Sequence, residues 1–367
     1  MEKLKAAVIG AGLIAQKKHI PAFLRAKGKV SLVAICDLNL ENAKKVAAKY
    51  GIPKAYGNVE EMLKNEKLDL VDVCTPPVTH VQLAVLAGQH GCNLMIEKPM
   101  AMTVAECDKI VEAANQAKVK VCCGHSDLFY YPFEKARELV AAGEIGEFRG
   151  MRIFLSTPTH YMTAKENHWA HKLPGGVIGE TGPHIAYMTL AFMRPIVDVN
   201  VSTMKMLDYP WSRFEDYRID MIGETAISSV VLSYGTNQWA AKVDILGSTG
   251  MLKIDLEDLS LVRYNRLKLS PSSAGMSLFS EAAQLVGNAI RNGMSLVTRK
   301  YTSTHDVLLN RFVDAIRSGA PSPVPAEDGR ETIKVLDMIV QKLEANQQQA
   351  QFAAAAVEHA GGVRAIR

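Results

Sequence analysis

The chain has 367 residues, 48% hydrophobic and 22% charged, with a formal net charge of +4. At roughly 150 residues per domain this length suits about two domains, each able to bury a core. That balance excludes disordered and collagen-like chains, and 42 Lys+Arg against 38 Asp+Glu, with no basic block, argues against a nucleic-acid partner.

The first third alternates two kinds of segment. Ala6–Gly10, Val30–Cys36, Asp69–Cys74, Asn93–Glu97 and Val119–Gly124 are short apolar runs and read as strands. Helical stretches lie between them: one up to Ala26, then Leu40–Tyr50 stopped by Gly51, Val78–His90 stopped by Gly91, and Val104–Ala117. Continuous apolar strands alternating with helices imply a parallel sheet covered on both faces, here a doubly wound α/β sheet.

The rhythm changes after about residue 145. Phe148–Ser156 reads as a strand, and Thr157–Pro174 as a polar, aromatic loop. A helix is expected over Pro183–Phe192, then strands at Asp198–Lys205, Glu224–Tyr234, Gln238–Leu246, Met251–Asp255 and Leu259–Tyr264. Successive strands with tight turns suggest a mainly antiparallel open sheet in an α+β domain. Ser280–Arg291, Ser303–Arg317 and Gly329–Glu344 read as helices. The expected division is 1–125 for a nucleotide-binding domain, 126–345 for a second domain whose last helices return to the first, and 346–367 for a helical or disordered tail.

Cys36, Cys74, Cys92, Cys107, Cys122 and Cys123 form no CxxC pair and sit mostly in apolar runs. They are expected to be buried, reduced thiols of a cytoplasmic protein. MEKLKAAVIG runs directly into a Gly-rich turn without a leader-like apolar segment, and no run reaches the 18 or so apolar residues of a membrane helix.

Gly10-Ala11-Gly12-Leu13-Ile14-Ala15 is a GxGxxA turn between a strand and a helix. Gly10 suits the tight turn, Gly12 permits close approach of a pyrophosphate, and Ala15 lets the helix pack near the strand. The helix N-terminus favours the phosphate charge. An ordinary strand–turn–helix is the competing reading. Asp37, at the end of the second strand, suits the adenosine ribose hydroxyls and would repel a 2′-phosphate, so NAD is favoured over NADP. Asp37 could instead cap the helix near Leu40.

Lys98, in Glu97-Lys98-Pro99 at a strand end, can polarise a substrate oxygen; a surface lysine is the alternative. Glu180 and His184 are four apart and share a face if their segment is helical. His184 has the side-chain chemistry to take a proton from an alcohol as hydride leaves, or could be a satisfied core histidine. His160, His168, His171 and His184 fall close together, yet Pro158 and Pro174 favour a polar substrate loop over a metal site, and no metal is expected.

Five segments in order resemble the Gfo/Idh/MocA family of nicotinamide-dependent oxidoreductases: GAGLIAQKKHIPA, TPPVTHVQLAVLAGQHGCNLMIEKPMA, ELVAAGEIGEFRG, GGVIGETGPHI and FVDAIRSGAPSPVPAEDGRETIKVLDMI. The resemblance implies a Rossmann domain followed by an α+β domain whose open sheet makes homodimers or homotetramers. It implies that Lys98 orients substrate, that His184 is the acid/base and that Glu180 stands at the usual Asp. Thr75, Pro76, His80 and Lys98 would line the cofactor groove with Gly10, Gly12, Leu13, Ile14 and Asp37, and Glu97 would lie beside the nicotinamide ribose. Substrate-facing candidates are Lys98, His125, Tyr161, His168, Trp169, Glu180 and His184. The chain departs from the family pattern in Glu180, in the Arg that is missing from Asp127–Pro132, and in Tyr187, where an Asp is common.

The expected function is hydride transfer between NAD and a secondary alcohol of a sugar, sugar derivative or cyclitol. Two alternatives stay open: a glycosidase or lyase that oxidises transiently and recycles its NAD, and a non-catalytic NAD-binding regulator.

Overall fold

The computed structural model describes residues 2–298 and 302–364, with side chains through residue 349. The first part runs β1 (Leu4–Ile9), α1 (Ile20–Arg25), β2 (Val30–Cys36), α2 (Leu40–Tyr50), β3 (Lys54–Tyr56), α3 (Val59–Asn65), β4 (Leu70–Val73), α4 (His80–Gln89), β5 (Asn93–Ile96), α5 (Val104–Ala117) and β6 (Val121–Cys123). The six strands form one parallel sheet in the order β3-β2-β1-β4-β5-β6. β4 is buried at every position, as a strand covered on both faces must be. The order reverses between β1 and β4, which opens a crevice at the strand C-termini.

Local chemistry sets the helix ends. Asn39 caps α2 by accepting from Asn42 N, and Gly51 ends it at φ +69°. Thr103 caps α5 through Glu106 N. A single π turn, Ala15–His19, precedes α1 and ends next to Pro21, which has no N–H to give.

The second part contains α6 (Tyr131–Ala141), β7 (Phe148–Ser156), α7 (Ile178–Leu190), β8 (Ile196–Met204), β9 (Asp216–Gly223), β10 (Ile227–Ser233), β11 (Ala240–Gly247), β12 (Met251–Asp255) and β13 (Ser260–Tyr264). Its seven-stranded sheet has the order β13-β12-β11-β7-β10-β9-β8, antiparallel except where β10 runs parallel to β7. α8 (Pro271–Val297) lies along β13; α9 (Thr304–Ser318) and α10 (Ala326–Arg364) follow.

The return to the first domain is direct. Asp306 on α9 takes a bidentate ion pair from Arg25 on α1, and Cys123 N donates to Val324 O before α10. All six cysteines are buried and unpaired. Among the described residues no helix is long and apolar enough to cross a membrane.

Beyond β3, α3 and α6, which sequence does not reveal, three differences bear on the site and the surface. α7 starts at Ile178 rather than Pro183, because Gly179 and Gly182 are helical residues chosen for close packing: a Cβ on Gly182 would meet Leu336 at 2.6 Å. β9 was not expected. Its core-facing Tyr217, Ile219 and Met221 alternate with Arg218 and Asp220, a pattern weakened by the charges. α8 is 27 residues long, more than twice the stretch expected.

Candidate active site

The loops at the C-terminal edge of the parallel sheet assemble the candidate site. Gly10 follows β1 at φ +95°, and a Cβ there would lie 2.9 Å from the Cys74 carbonyl, so only glycine lets the turn pass over the end of β4. Gly12 is exposed with nothing within 4 Å of a Cβ position, and Leu13 and Ile14 are exposed beside it. The helix that begins there leaves its first N–H groups without intrahelical partners. This open backbone at a helix N-terminus fits a dinucleotide pyrophosphate.

Asp37 follows β2. Its carboxylate accepts from Ala11 N at 2.8 Å and Asn42 Nδ2 at 3.2 Å, with Oδ1 accepting from Asn39 N. It braces the turn, and Asn39 is the cap of α2. Thr75 and Pro76, after β4, lie at the surface of the same crevice, half-buried and exposed.

His80 does not line the groove. It is fully buried, with Nε2 2.8 Å from Thr75 O and Nδ1 3.1 Å from Pro99 O. Burial lowers its pKa, and it clamps the loop after β4 to the loop after β5.

Lys98 follows β5, and its peptide bond to Pro99 is cis. Its Nζ donates to Glu180 Oε1 at 2.6 Å and to Glu180 O at 3.0 Å, which places two of its three protons. Burial alone would lower the Lys98 pKa, but Glu180, with Glu97 and Asp127, raises it above the ordinary value. The Glu180 carboxyl, which burial would push up, is held below its usual range by Lys98 and His184.

Glu180 and His184 share one helix, as their spacing suggests, but Glu180 turns to the lysine. The carboxylate on His184 comes from elsewhere: His184 Nδ1 is 2.6 Å from Asp127 Oδ2 and 2.6 Å from Tyr187 Oη. Asp127 sits in the short 3₁₀ turn after β6, 57 residues away in sequence, and no local spacing announces it. Burial would raise the Asp127 pKa; His184 and Tyr187 hold it down to about 2. An ionised Asp127 assigns the Nδ1 proton to that bond, which leaves the Nε2 lone pair as the proton acceptor. The Asp that the resemblance places three residues after the histidine is Tyr187 here, and Asp127 supplies the charge instead.

His125, expected to face substrate, is buried and stacked on Tyr187 at 4.5 Å. Burial, and then His184, lowers its pKa to about 3, so it is a neutral wall behind His184. In the loop before α7, His168 Nδ1 accepts from Ala170 N and its ring stacks on the exposed Trp169; exposed Tyr161 packs against Trp239. His171 Nε2 lies 3.2 Å from Lys165 O. His168 and His171 thus serve local contacts, and Tyr161 and Trp169 stay exposed, the first under Lys165 and the second beside His168.

Beneath the crevice is a buried charge network that sequence reasoning missed. His19 Nδ1 is 2.8 Å from Asp72 Oδ2 and His19 Nε2 is 2.8 Å from Glu97 Oε1, while Glu97 Oε2 accepts from Lys98 N at 3.0 Å. His305 Nε2 lies 3.7 Å from the same Glu97 oxygen. Burial would lower the His19 pKa, but Asp72, with Cys74 beside it, raises it well above the usual value. His19 and His305 hold Glu97 well below the carboxylate range despite burial. Asp72, a carboxylate inside the apolar strand LVDV, was the available signal, since a buried charge needs a partner. His19, Glu97 and His305, and likewise His19, Asp72 and Cys74, are close enough to share a cation; the imidazolium at His19 already fills that electrostatic role.

Residues 4–125 match the model described as the oxidoreductase family, NAD-binding Rossmann fold, and residues 133–253 match the GFO/IDH/MocA C-terminal domain. The chain is 24% identical to an uncharacterised oxidoreductase of Rhizobium meliloti over 94% of this chain and 98% of that one. It is 33% identical to the D-glucoside 3-dehydrogenase of Escherichia coli K12, over 39% of this chain and 41% of that enzyme. The WlbA dehydrogenase of Bordetella pertussis, solved with NADH and UDP-GlcNAcA, superposes with a TM-score of 0.74 at 18% identity, over 93% of this chain and 96% of that one.

Proposed function

The chain belongs to the Gfo/Idh/MocA oxidoreductases and carries their NAD-binding Rossmann domain, and from that premise we propose that it oxidises or reduces a secondary alcohol of a polyhydroxylated substrate, a sugar, sugar derivative or cyclitol. The observation that carries this reading is the pairing of two acid/base groups, each with its own carboxylate: Lys98 with Glu180, and His184 with Asp127, both at 2.6 Å.

The roles follow from the chemistry of the groups. Gly10, Gly12, Leu13 and Ile14 would hold the pyrophosphate, Asp37 would meet the adenosine ribose, and Thr75 and Pro76 would border the nicotinamide side with the buried Glu97 beneath them. Bound NAD supplies the hydride acceptor. Nε2 of His184 takes the hydroxyl proton, and Asp127 balances the imidazolium that results. The third proton of the Lys98 ammonium donates to the substrate oxygen as its charge changes. Glu180 keeps that ammonium charged and aimed. Asp127 is a positioning residue, since it acts through His184. Tyr161, His168 and Trp169 form the substrate rim, where an aromatic face suits the C–H face of a sugar. We place the domain division near residue 125, so Lys98 comes from the first domain and His184 from the second.

The glucoside dehydrogenase relative and the nucleotide-sugar neighbour support the substrate class. The test is a screen of sugars, sugar acids, cyclitols and nucleotide sugars with NAD, read by product formation. Conversion of none of them removes the assignment.

Two variants test individual roles. Asp127→Asn should lower kcat about tenfold or more with the KM for NAD unchanged. Because Asp127 ionises near pH 2, it does not titrate between pH 5 and 9. Asp127→Asn should therefore remove no limb from the pH profile of kcat in that range; loss of one contradicts the positioning role. Asp37→Ala removes a charge that repels a 2′-phosphate, an effect of a few kcal/mol at about 4 Å and an effective dielectric constant near 20. The ratio of kcat/KM for NAD over NADP should fall at least about tenfold, and an unchanged ratio takes Asp37 out of that role.

A further inference from the structure

α8 is amphipathic the wrong way round for a monomer. Its inward stripe is polar. Ser277 and Asn288 are buried, Asn288 Nδ2 donates to Leu261 O, and Gln284 exchanges hydrogen bonds with both the N–H and the carbonyl of Arg263. Asn292 Nδ2 donates to Asp258 O, and Arg291 to Leu259 O. This stripe covers β13, the edge strand, and occupies its backbone groups, one way a sheet edge is closed.

Because the polar residues are spent on the edge, the apolar residues face outward. Met276, Phe279, Val286, Ile290, Met294 and Val297 are 58–85% exposed and recur at spacings of three, four and seven, the period of a helix–helix seam. Leu278, Leu285 and Leu296 widen the stripe. The exposed apolar surface is on the order of 1,000 Å², well above the roughly 300–600 Å² of the largest patch on a typical monomer. It is comparable with the roughly 800 Å² per partner of a stable interface.

We infer that the outer face of α8 pairs with α8 of a second copy of this chain. Charge selects this occupant. Glu281 and Arg291 are the only ionisable residues of α8, and both turn inward, Glu281 to Lys253 and Arg291 over the Tyr131 ring. A helix that lies on a membrane carries Lys and Arg along its polar face, and here that face is buried against β13. A face with no charge to match is suited to self-pairing, as in apolar homodimer interfaces. The open sheet face is different. It carries the ion pairs Arg152–Asp244 and Lys242–Asp255 among exposed Phe154 and Ile227.

The test is the mass in solution at about 10 µM by light scattering on a sizing column, for the wild type, for Val286→Glu/Ile290→Glu, and for Phe154→Glu on the sheet face. NAD titration of each variant checks its fold. The wild type is expected at twice the chain mass or more, and Val286→Glu/Ile290→Glu at half the wild-type mass with NAD binding intact. A monomeric wild type overturns the proposal. So does a folded α8 variant that keeps its mass, whether or not Phe154→Glu dissociates. A wild-type monomer that sediments with phosphatidylcholine–phosphatidylglycerol vesicles assigns the face to a lipid surface and also overturns it.

Discussion

Lys98→Ala and His184→Ala are each expected to lower kcat at least about 10²-fold while the protein still binds NAD. The two losses have different causes. Without His184 the proposed acceptor of the substrate proton is gone, and Asp127 and Tyr187 lose the partner they share. Without Lys98 the proposed donor to the substrate oxygen is gone, and Glu180 becomes a half-buried carboxylate without its cation. Lys98→Arg should not restore the rate. A planar guanidinium cannot reproduce a compact ammonium bonded to both the carboxylate and the carbonyl of Glu180. Titration calorimetry with NAD separates the binding turn, which these changes do not touch, from the chemical step. Turnover near wild type in both alanine variants contradicts the assignment.

His19→Ala should cost about 3–5 kcal/mol of stability, since it leaves Asp72 and Glu97 as buried carboxylates without their shared cation. For a domain of this size that is a fall in Tm on the order of 10 °C. The pH dependence has a definite sign. The folded pKa of His19 lies well above its unfolded value, so its contribution is complete below about pH 6.5 and is lost as pH rises through the folded value. The wild type should therefore lose stability on the alkaline side, and the Tm gap to His19→Ala should narrow there. Adding Asp72→Asn to His19→Ala removes one of the orphaned charges and should recover part of the loss. An unchanged Tm in His19→Ala contradicts the buried imidazolium.

The parts of the fold that sequence shows best are those where one physical demand dominates. β1, β2, β4 and β5 are covered on both faces and read as apolar runs, so the Rossmann half is visible without coordinates. β9 serves two demands, a buried face and a solvated one, and Arg218 and Asp220 hide it. α8 misleads for a related reason: its polar stripe faces the protein and its apolar stripe faces out, so periodicity identifies a helix but not which side is buried.

The site divides in the same way. The GxGxxA turn, Lys98 and the Glu180/His184 spacing are local patterns and could be read directly. Asp127 and His19 could not, because each acts on a residue more than 50 positions away. His80 was legible as a motif residue but not as a clamp, since its role depends on two carbonyls from separate loops. Asp72 was the one distant signal open to inspection, a carboxylate in a strand that is otherwise apolar.

The most direct test of hydride transfer by the Lys98/His184 pair is NADH absorbance during incubation with NAD and the substrate class proposed above, run beside an assay for the carbonyl product. NADH should accumulate one for one with product in the wild type, and both should form at least about 10²-fold more slowly in His184→Ala. Product that forms without NADH would place the chain with enzymes that recycle the cofactor in place and contradict net oxidation.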